Sequence, residues 1–444
     1  MMIATTNVFG QKDTLKVMTY NVLYYGNGCQ GPNGKYHEYF KTIVKYTNPD
    51  IVSLVKLASI PVSEHDKYAT APLGFADSII KYAMNSAFPD RYAYCPFTNE
   101  AKSTNIVLLV YDKHKLGYAG MVSSYVNIID FNTYKLYYKD PNLEKTHDTT
   151  FLYLTLNHDK SGDEFEQVRT NQISGEQNEI RKHFSHLPNM INLGDFNVRT
   201  SKEPFYQLLT AGSDTSYRFY DPVFVPDHSL SYPAEWDHEA AYSPYFTTST
   251  RASADIPNSC GSGGGAKCWY DHIFLSKWIL NNSNYIDYIP HSYKTIGNDG
   301  NHFKMSINNS NINKNNSVPP DMIEALYQMS NKYPVMLSLE VSYNTNGVSP
   351  KDPEIFNVPI VYKAEVKASE NQTDGKLNLI FDKGLIGQEM TVECFDTNGA
   401  SCMKKDFVVK NNEMEFKFKP KQGTYLVQLR TSHNIVSEFN IVRK

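Results

Sequence analysis

A polar segment that follows a short apolar run places the strongest constraint on this chain. Met190 and Ile191 lead into Asn192-Leu193-Gly194-Asp195-Phe196-Asn197-Val198 as a buried strand leads into a turn. Asp195 and Asn197 are two residues apart, so in an extended segment both side chains point to one side. A carboxylate and a carboxamide at a strand end suit Mg²⁺-assisted chemistry on phosphodiesters, since both bind metal, water or phosphate oxygens. An ordinary turn closed by Asx hydrogen bonds explains the same residues equally well.

Strands and helices interleave along the first three quarters of the chain. Alternating or β-branched apolar runs predict strands at 15–22, 51–55, 105–111, 135–138, 151–156, 270–276 and 333–341. Apolar residues at helical spacing predict helices at 36–47, 75–84 and 162–184. Helices are too few for a doubly wound parallel sheet, so the predicted fold class is α/β, a four-layer α/β sandwich of two mixed sheets.

The pattern changes after residue 342. Residues 343–368 carry Asn, Gly, Pro and Lys and are predicted to be a linker. Residues 369–444 contain no helical pattern and are predicted to be a small all-β sandwich. Its six strands are predicted at 377–381, 390–395, 407–409, 414–418, 425–430 and 439–442.

Composition and the first residues bear on localisation. The net charge of -4 shows no excess of basic residues of the kind that binds nucleic acid non-specifically. The sequence contains no run of 18 apolar residues that would predict a membrane span. Residues 1–13 are interpreted as the remnant of a secretory signal peptide, with an ordinary flexible N-terminus as the alternative. The first domain is then predicted to occupy residues 14–342.

The six cysteines favour an exported protein. Cys260 and Cys268 flank a glycine-rich segment, and Cys394 and Cys402 flank a hairpin-like turn at 396–399. Both loops are short enough to close, so disulfides are predicted there, with Cys29 and Cys95 as the third pair. Free thiols are the alternative.

Five segments resemble, in order and spacing, the motifs of the endonuclease/exonuclease/phosphatase superfamily, whose fold is that of DNase I. They are Met18-Thr19-Tyr20-Asn21-Val22, Asn48-Pro49-Asp50-Ile51-Val52-Ser53-Leu54, His158-Asp159-Lys160-Ser161-Gly162, Gly194-Asp195-Phe196-Asn197 and Tyr270-Asp271-His272-Ile273. The resemblance spans residues 15–342 and implies a metal-dependent phosphodiesterase site. It places Asn21, His158, Asp195, Asn197 and Asp271 at family positions, with Asp195 and Asp271 as Mg²⁺ ligands if activity is retained.

Two further resemblances concern export. Residues 134–143 and 146–151, with the Gly-rich loop before Asp271, are similar to secreted members of the superfamily from Bacteroidetes. The C-terminal segment resembles the type IX secretion sorting domain in Phe395-Asp396-Thr397-Asn398-Gly399 and Gly423-Thr424-Tyr425-Leu426-Val427. A generic β-sandwich is the alternative. The resemblance implies a secreted or cell-surface protein that engages the type IX secretion machinery.

Three family positions carry unexpected residues. In the family, a Glu after the second strand binds the metal, and this chain has Lys56 at that position. The family's Ser-Asp-His segment corresponds here to Ser330, Asn331 and Lys332. A fixed cation repels Mg²⁺, because unit charges about 4 Å apart interact by roughly 4 kcal/mol at an effective dielectric near 20. An ammonium with an ordinary pKa also cannot accept a proton from water at pH 7.

We therefore predict a pseudoenzyme in which a Lys–Asp network replaces the metal and no cofactor is bound. The alternative is a Mg²⁺-dependent phosphodiesterase or nuclease with a rearranged site, using Asn301 and His302 or recruiting Asp299 or Glu324. If the chain is a pseudoenzyme, three kinds of ligand are candidates. A phosphate-bearing molecule could bind at the site, and a cell-surface protein or a glycan could bind on residues 201–260, which include Trp236. The Gly261 to Gly265 run lacks the ending of a phosphate-binding loop and is interpreted as a flexible connector.

Overall fold

The protein is described here from a computed structural model covering most of the chain. It describes residues 12–25, 29, 35–59, 73–146, 149–253, 261–281, 285–311, 313–342, 366–368, 372–373, 375–381, 385–430 and 435–443. Most of the predicted signal-peptide remnant and of the predicted linker lies outside these residues. Among the described residues, no helix is both long and apolar enough to cross a membrane.

Two mixed sheets form the first unit. Their strands are β1 Lys12–Asn21, β2 Ile51–Ala58, β3 Tyr92–Tyr94, β4 Asn105–Asp112, β5 Leu116–Val126, β6 Asp130–Tyr138, β7 Phe151–His158, β8 Met190–Asp195, β9 Phe219–Tyr220, β10 Asp271–Ser276, β11 Ile286–Tyr288, β12 Lys294–Thr295 and β13 Val335–Ser342. The first sheet runs β11-β13-β1-β2-β4-β3, with β12 also paired to β13, and the second runs β5-β6-β7-β8-β10-β9. Each sheet has one parallel pair near its centre, β1 with β2 and β7 with β8.

The helices lie in two groups, one for each sheet. They are α1 Tyr36–Thr47, α2 Leu73–Ile79, α3 Leu143–Thr146, α4 Glu166–His183, α5 Pro204–Thr210, α6 Lys277–Leu280 and α7 Pro320–Met329. Helix α2 continues through a π turn at Ile80–Met84 into Asn85–Ala87, and single 3₁₀ turns occupy Asp163–Phe165, Thr215–Tyr217 and Ala240–Tyr245. Helices α1 and α7 pack together and α2 contacts the first sheet, whereas α4 and α5 contact the second.

One hydrophobic core lies between the two sheets. Strands β1, β2 and β4 of the first sheet contact β7, β8 and β10 of the second. Strand β8 is buried along its whole length because a sheet covers one face and helices the other. This order of helices, sheet, sheet and helices confirms the predicted four-layer α/β fold class.

A separate all-β unit follows, built from two small sheets. Its strands are β14 Val366–Ala368, β15 Gln372–Thr373, β16 Lys376–Phe381, β17 Glu389–Phe395, β18 Ser401–Val408, β19 Glu413–Lys417, β20 Gly423–Arg430 and β21 Ile435–Arg443. The sheets run β14-β16-β19 and β15-β21-β20-β17-β18. In β16, exposed residues alternate with buried Leu377, Leu379 and Phe381, which share a core with Val392 and Val427 of the other sheet. The predicted β-sandwich is thus confirmed, with two short strands that the sequence pattern did not indicate.

The predicted disulfide pairs are wrong. Cys95, Cys268, Cys394 and Cys402 are all free thiols, and each predicted pair contains at least one of them. Cys29 is disulfide-bonded. Short sequence separation did not bring sulfur atoms together, because Cys268 and Cys394 are instead buried within the two cores.

Candidate functional site

The topology gathers polar strand ends at one edge of the two sheets. Parallel strands β1 and β2 end there, as do β7 and β8. Strands β10 and β13 run antiparallel to β8 and β1, so they begin at the same edge. Residues far apart in sequence meet here because the two sheets pack face to face.

Three predicted residues form one row across the second sheet. Asp195 at the end of β8 pairs in register with His158 on β7 and with Asp271 on β10. Residues in register on neighbouring strands point to the same face, so the three side chains lie side by side. The close pairing of these strands requires glycine at position 194, because a Cβ atom there would lie 2.0 Å from the carbonyl oxygen of Asn157.

Lys332 lies between the two carboxylates. Its Nζ atom is 2.9 Å from Oδ2 of Asp195 and 3.5 Å from Oδ2 of Asp271. The segment before β13 is held by Ser330, whose hydroxyl donates to the carbonyl oxygen of Asn21 at 2.6 Å. All three charged side chains are at least 95% buried. The site therefore contains an internal ion-pair triad of Lys332 with two carboxylates, whereas Lys56, the other lysine of the predicted network, forms no ion pair among the described residues.

The two asparagines orient Asp195 and its surroundings. Nδ2 of Asn21 donates to Oδ2 of Asp195 at 2.9 Å, while Oδ1 of Asn21 accepts from the backbone N–H of Leu23. Asn197 has a left-handed backbone, φ 50°, which lets its N–H reach Oδ1 of Asp195 at 3.2 Å. Its side-chain amide donates to the carbonyl oxygen of Asp159 at 2.8 Å. Each asparagine thus donates one side-chain N–H bond within the protein.

Lys56 reaches the same cavity from a β-bulge in the first sheet. Val55 and Lys56 together oppose the single residue Val107 on β4, and Lys56 adopts φ 58°. The predicted end of the strand at Lys56 is wrong, since β2 resumes pairing and continues to Ala58. The extra residue turns the side chain out of the sheet. Its Nζ atom lies 4.5 Å from the centre of the Tyr24 ring.

The two remaining predicted residues flank this centre. Nδ1 of His158 lies 3.0 Å from Oδ1 of Asn105, which accepts only, so His158 carries its proton on Nδ1 and leaves Nε2 as an acceptor. Nδ2 of Asn331 donates to the carbonyl oxygen of Ser262 at 2.9 Å. Asn331 therefore fixes the glycine-rich segment and does not pair with Lys332 as an acid–base couple.

The protonation states follow from burial and from neighbouring charges. Burial raises the pKa of Asp195, but the Lys332 ammonium and His158 outweigh it and hold the pKa below its ordinary value. Burial lowers the pKa of Lys332, yet Asp195 and Asp271 leave it raised overall. Burial, reinforced by Asp195, raises the pKa of Asp271. The Lys332 ammonium is therefore charged at neutral pH and cannot act as a base.

The other two titratable groups are shifted towards their neutral forms. Burial lowers the pKa of His158 to about 4, against an opposing contribution from Asp195. Burial lowers the pKa of Lys56 to about 8, with Lys332 adding to the shift and Asp195 opposing it. At pH 7 the imidazole is thus neutral, and a measurable fraction of Lys56 is a free amine.

These residues line a cavity of about 310 Å³. Seven of the eight predicted positions belong to its wall: Asn21, Lys56, His158, Asp195, Asn197, Asn331 and Lys332. The eighth, Asp271, lies directly behind Lys332. The other members of the wall are Ser161, Gly162, Arg199, Gly261, Ser262 and Tyr270. Three of them, Ser161, Gly162 and Tyr270, belong to the motif segments quoted above, but the sequence did not indicate them as site residues.

Arg199 is the most informative residue that was missed. Its guanidinium pairs with Asp163 and with Asp237, the latter at 3.2 Å, while its buried Nε–H has no hydrogen-bond partner in the described structure. The ring of Tyr270 lies between this guanidinium and the Lys332 ammonium, at 5.5 and 4.5 Å from its centre. The only feature of the sequence that could have indicated Arg199 is its position two residues after Asn197.

The structure corrects two surface assignments. Trp236 was expected on a partner or glycan surface, but it is fully buried and packs against Tyr206, Trp269 and His272. The Gly261 to Gly265 run was expected to be a connector. Instead its first residue packs so tightly that a Cβ atom would lie 2.7 Å from Nδ2 of Asn331.

The residues that the sequence offered for a rearranged metal site lie elsewhere. Nδ1 of His302 pairs with Asp299 at 3.0 Å, and its Nε2 faces the carbonyl oxygen of Asn309. Glu324 accepts from Gln328 on the exposed face of α7. None of these side chains lines the cavity.

The donor set does not fit Mg²⁺, the metal that the resemblance implies. Oδ2 of Asp195 already accepts from Lys332 and Asn21, and two cationic side chains face the position that a divalent ion would occupy. In the part of the chain that is described, no group of three or more His, Cys, Asp or Glu side chains is arranged to hold a metal ion. Hard divalent cations need several free oxygen ligands, which this arrangement does not offer.

Comparisons with known proteins give structural matches only. No family model and no curated protein matches the chain. One similar structure is the endonuclease/exonuclease/phosphatase from Beutenbergia cavernae DSM 12333, with 11% identity, coverage of 97% of this chain and 99% of that chain, and a TM-score of 0.40.

Two further structures match about three quarters of this chain. The human Nocturnin catalytic domain with bound sulfate anion is 11% identical over 74% of this chain and 97% of that chain, with a TM-score of 0.41. ANGEL2, a 2',3'-cyclic phosphatase, is 12% identical over 75% of this chain and 97% of that chain, with a TM-score of 0.43. Likenesses this distant carry no argument about activity, so the fold class rests on the sheets themselves.

Proposed function

We propose that the chain is a catalytically inactive member of the endonuclease/exonuclease/phosphatase superfamily that acts as a binding or structural component. The observation that carries this proposal is the Lys332 ammonium, 2.9 Å from Asp195 and 3.5 Å from Asp271. The ammonium neutralises the carboxylates on which metal-dependent hydrolysis would rely.

The electrostatic balance supports a site that works without metal. Three cationic side chains, Lys56, Arg199 and Lys332, reach the wall of the cavity. A cation about 4 Å from a unit positive charge is repelled by roughly 4 kcal/mol at an effective dielectric near 20, and a divalent ion by about twice that. Because about 1.4 kcal/mol is a tenfold change in affinity, Mg²⁺ binding falls by several orders of magnitude.

The same cations favour an anionic ligand. Lys56 forms no ion pair with a carboxylate of the described residues, and Arg199 lines the same cavity. Lysine and arginine bind phosphate or sulfate oxygens directly through charge-assisted hydrogen bonds. The ligand we propose carries such a group, and the cavity holds it without hydrolysing it.

Calorimetric titration of Mg²⁺ and Mn²⁺ into the full chain tests this proposal. We expect no heat of binding from the native protein. The triple variant Lys56→Glu, Asn331→Asp, Lys332→His restores the family residues, and we expect it to bind metal. A Lys294→Glu variant adds an acid outside the site and controls for non-specific charge effects.

Micromolar to low-millimolar Mg²⁺ binding by the native protein would overturn the proposal. Phosphodiesterase activity that requires Mg²⁺ and disappears in Asp195→Ala would do the same, and would favour a hydrolase with a rearranged metal site. A triple variant that folds but stays silent would show that more than these three positions separates this cavity from a metal site.

Export is part of the proposal. We propose that the protein is secreted or held at the cell surface of a Bacteroidetes bacterium, and that residues 369–444 act as a type IX secretion sorting domain. The motif residues at 395–399 and 423–427 support this, and they lie in the hairpin between β17 and β18 and at the start of β20. Retention inside the cell after deletion of residues 369–444, with export of the full chain, is the expected result.

A further inference from the structure

Lys56 is the one predicted site residue whose charged group has no counter-ion among the described residues. The Lys332 ammonium pairs with two carboxylates, and the Arg199 guanidinium pairs with two others. The Lys56 ammonium instead lies 4.5 Å from the centre of the Tyr24 ring and faces the cavity. Its amine is therefore available for contact with a ligand.

The backbone holds this amine in a defined position. The β-bulge places Lys56 at φ 58°, and its carbonyl oxygen accepts from the N–H of Tyr24 at 2.8 Å. The neighbouring carbonyl of Val55 accepts from Val22 at 2.9 Å. Two segments of the first sheet thus fix the position from which the side chain projects.

Burial is the main cause that favours the neutral amine of Lys56. Among the charges on the same cavity wall, Asp195 favours the ammonium, Lys332 and Arg199 oppose it, and His158 is neutral. With a pKa of about 8, roughly a tenth of the amine is unprotonated at pH 7, against well under a thousandth for an exposed lysine. A buried lysine beside another cation is a recognised arrangement for amine nucleophiles.

We propose that Lys56 is a nucleophilic amine that forms an imine with small aldehydes bearing a phosphate or sulfate group. This rests on the proposed function, because the oxyanion is held by the cationic cavity, with the Arg199 guanidinium on its wall as the anchor. The cavity of about 310 Å³ admits a ligand of this size.

The step balances without an oxidant, a reductant or a metal. The amine nitrogen attacks the aldehyde carbon, and the carbonyl oxygen becomes the hydroxyl of a carbinolamine. The C–O bond then breaks, the oxygen leaves as water with the two amine protons, and a C=N bond remains. Nε2 of His158, which is free to accept, is the group in the cavity that can take a proton from nitrogen.

Pyridoxal 5′-phosphate is a suitable probe, because it carries an aldehyde and a phosphate. The full chain is treated with it at pH 7.5, reduced with borohydride and analysed by peptide mass spectrometry. We expect Lys56 to be labelled at least tenfold faster than the exposed Lys294, which lines a different cavity. Pyridoxal without phosphate is expected to lose this preference.

Variants separate the two parts of the inference. Lys56→Arg is expected to abolish the fast label, whereas Lys294→Arg leaves it unchanged. Arg199→Lys is expected to slow labelling by the phosphorylated probe and to leave labelling by pyridoxal unaltered, with thermal melting to confirm folding.

Labelling of Lys56 no faster than Lys294, or equally fast with pyridoxal, would overturn the imine site. The Mg²⁺ titration decides the proposed function separately. If no Mg²⁺ binds and the labelling is unselective, only the imine site is contradicted. If the native chain binds Mg²⁺, the proposed function on which the imine site rests is contradicted.

Discussion

The ammonium of Lys332 lies between two buried carboxylates and is itself buried. A buried ion pair contributes little net stability when complete, because desolvation offsets attraction, but removal of one partner leaves an uncompensated charge. We therefore expect Lys332→Met to lower the free energy of unfolding by roughly 3–5 kcal/mol at pH 7. Urea unfolding of the two proteins measures the difference.

A paired variant separates lost charge from lost packing. In Lys332→Met, Asp195→Asn one of the two buried carboxylates is removed as well, so we expect part of the stability to return. No recovery in the double variant would show that Lys332 acts through its volume and not through its charge.

The same triad sets a limit of stability in acid. The pKa of Asp195 is lowered in the folded state, so its contribution is present above the pKa of an unfolded Asp, about 4, and is lost as pH falls through the folded value. We expect stability to drop below pH 4 in the native protein. Unfolding of Asp195→Asn should show a smaller drop over the same range.

Phosphate binding can be assigned to one side chain. A hydrogen bond to a charged group contributes about 1.5–3 kcal/mol, which corresponds to roughly 10- to 150-fold in affinity. We expect Lys56→Ala to weaken inorganic phosphate binding to this extent, and Lys294→Ala to leave it unchanged. Equal affinities in native protein and Lys56→Ala would place the anion elsewhere.

At the scale of elements, the pairing of β7 with β8 depends on Gly194. A Cβ atom there would lie 2.0 Å from the carbonyl oxygen of Asn157 on the neighbouring strand, so the ladder would have to open. We expect Gly194→Ala to cost roughly 3 kcal/mol or more of stability and to disturb the row of His158, Asp195 and Asp271.

Gly120→Ala is the matched control. Gly120 has a similar φ, 135° against 153°, but a Cβ atom there meets nothing within 4 Å. The stability lost in Gly120→Ala therefore measures only the cost of placing an alanine at a positive φ. If both variants lose the same stability, the contact with Asn157 is not what requires glycine.

Helix α4 brings a second titratable group into the core. Glu176 is buried and accepts from Nδ2 of Asn192 at 2.6 Å, and burial raises its pKa to about 8. The folded state then binds more protons than the unfolded state between about pH 4.5 and 8, so stability falls as pH rises through that window. The slope is at most about 1.4 kcal/mol per pH unit.

Glu176→Gln removes the titratable carboxyl group and keeps a side-chain oxygen that can accept from Asn192. We expect the variant to be more stable than the native protein at pH 8, with a flatter stability profile from pH 5 to 8 by urea unfolding. An unchanged slope would show that Glu176 is ionised in the folded state.

At the scale of the whole molecule, the described chain contains two separate hydrophobic cores. One includes Leu193 and the other Leu379, and both side chains are fully buried. Replacing a buried Leu by Ala costs roughly 2–5 kcal/mol. We expect calorimetry to show two unfolding transitions, of which Leu193→Ala lowers only one and Leu379→Ala only the other. A single transition that both variants shift together would show that the two units unfold as one.

The sequence by itself determined the fold class and many of the longer elements, but not strand Leu116–Val126 or helix Pro320–Met329. Apolar periodicity located the strands because each buries one or both faces, and strand ends carried polar residues because the chain leaves the core there. Asp195 and Asn197 were identified in this way. Asn21, His158, Asp271 and the three substituted positions were instead what the resemblance to the family motifs implied.

Only the tertiary structure decided which charges pair. Lys332 follows Asp195 by 137 positions, and the packing of two sheets brings them to 2.9 Å. It also placed Arg199 on the cavity wall, buried Trp236 and left four thiols free, none of which local spacing revealed. Local sequence fixes backbone conformation within a few residues, whereas contacts between distant side chains depend on how whole sheets pack.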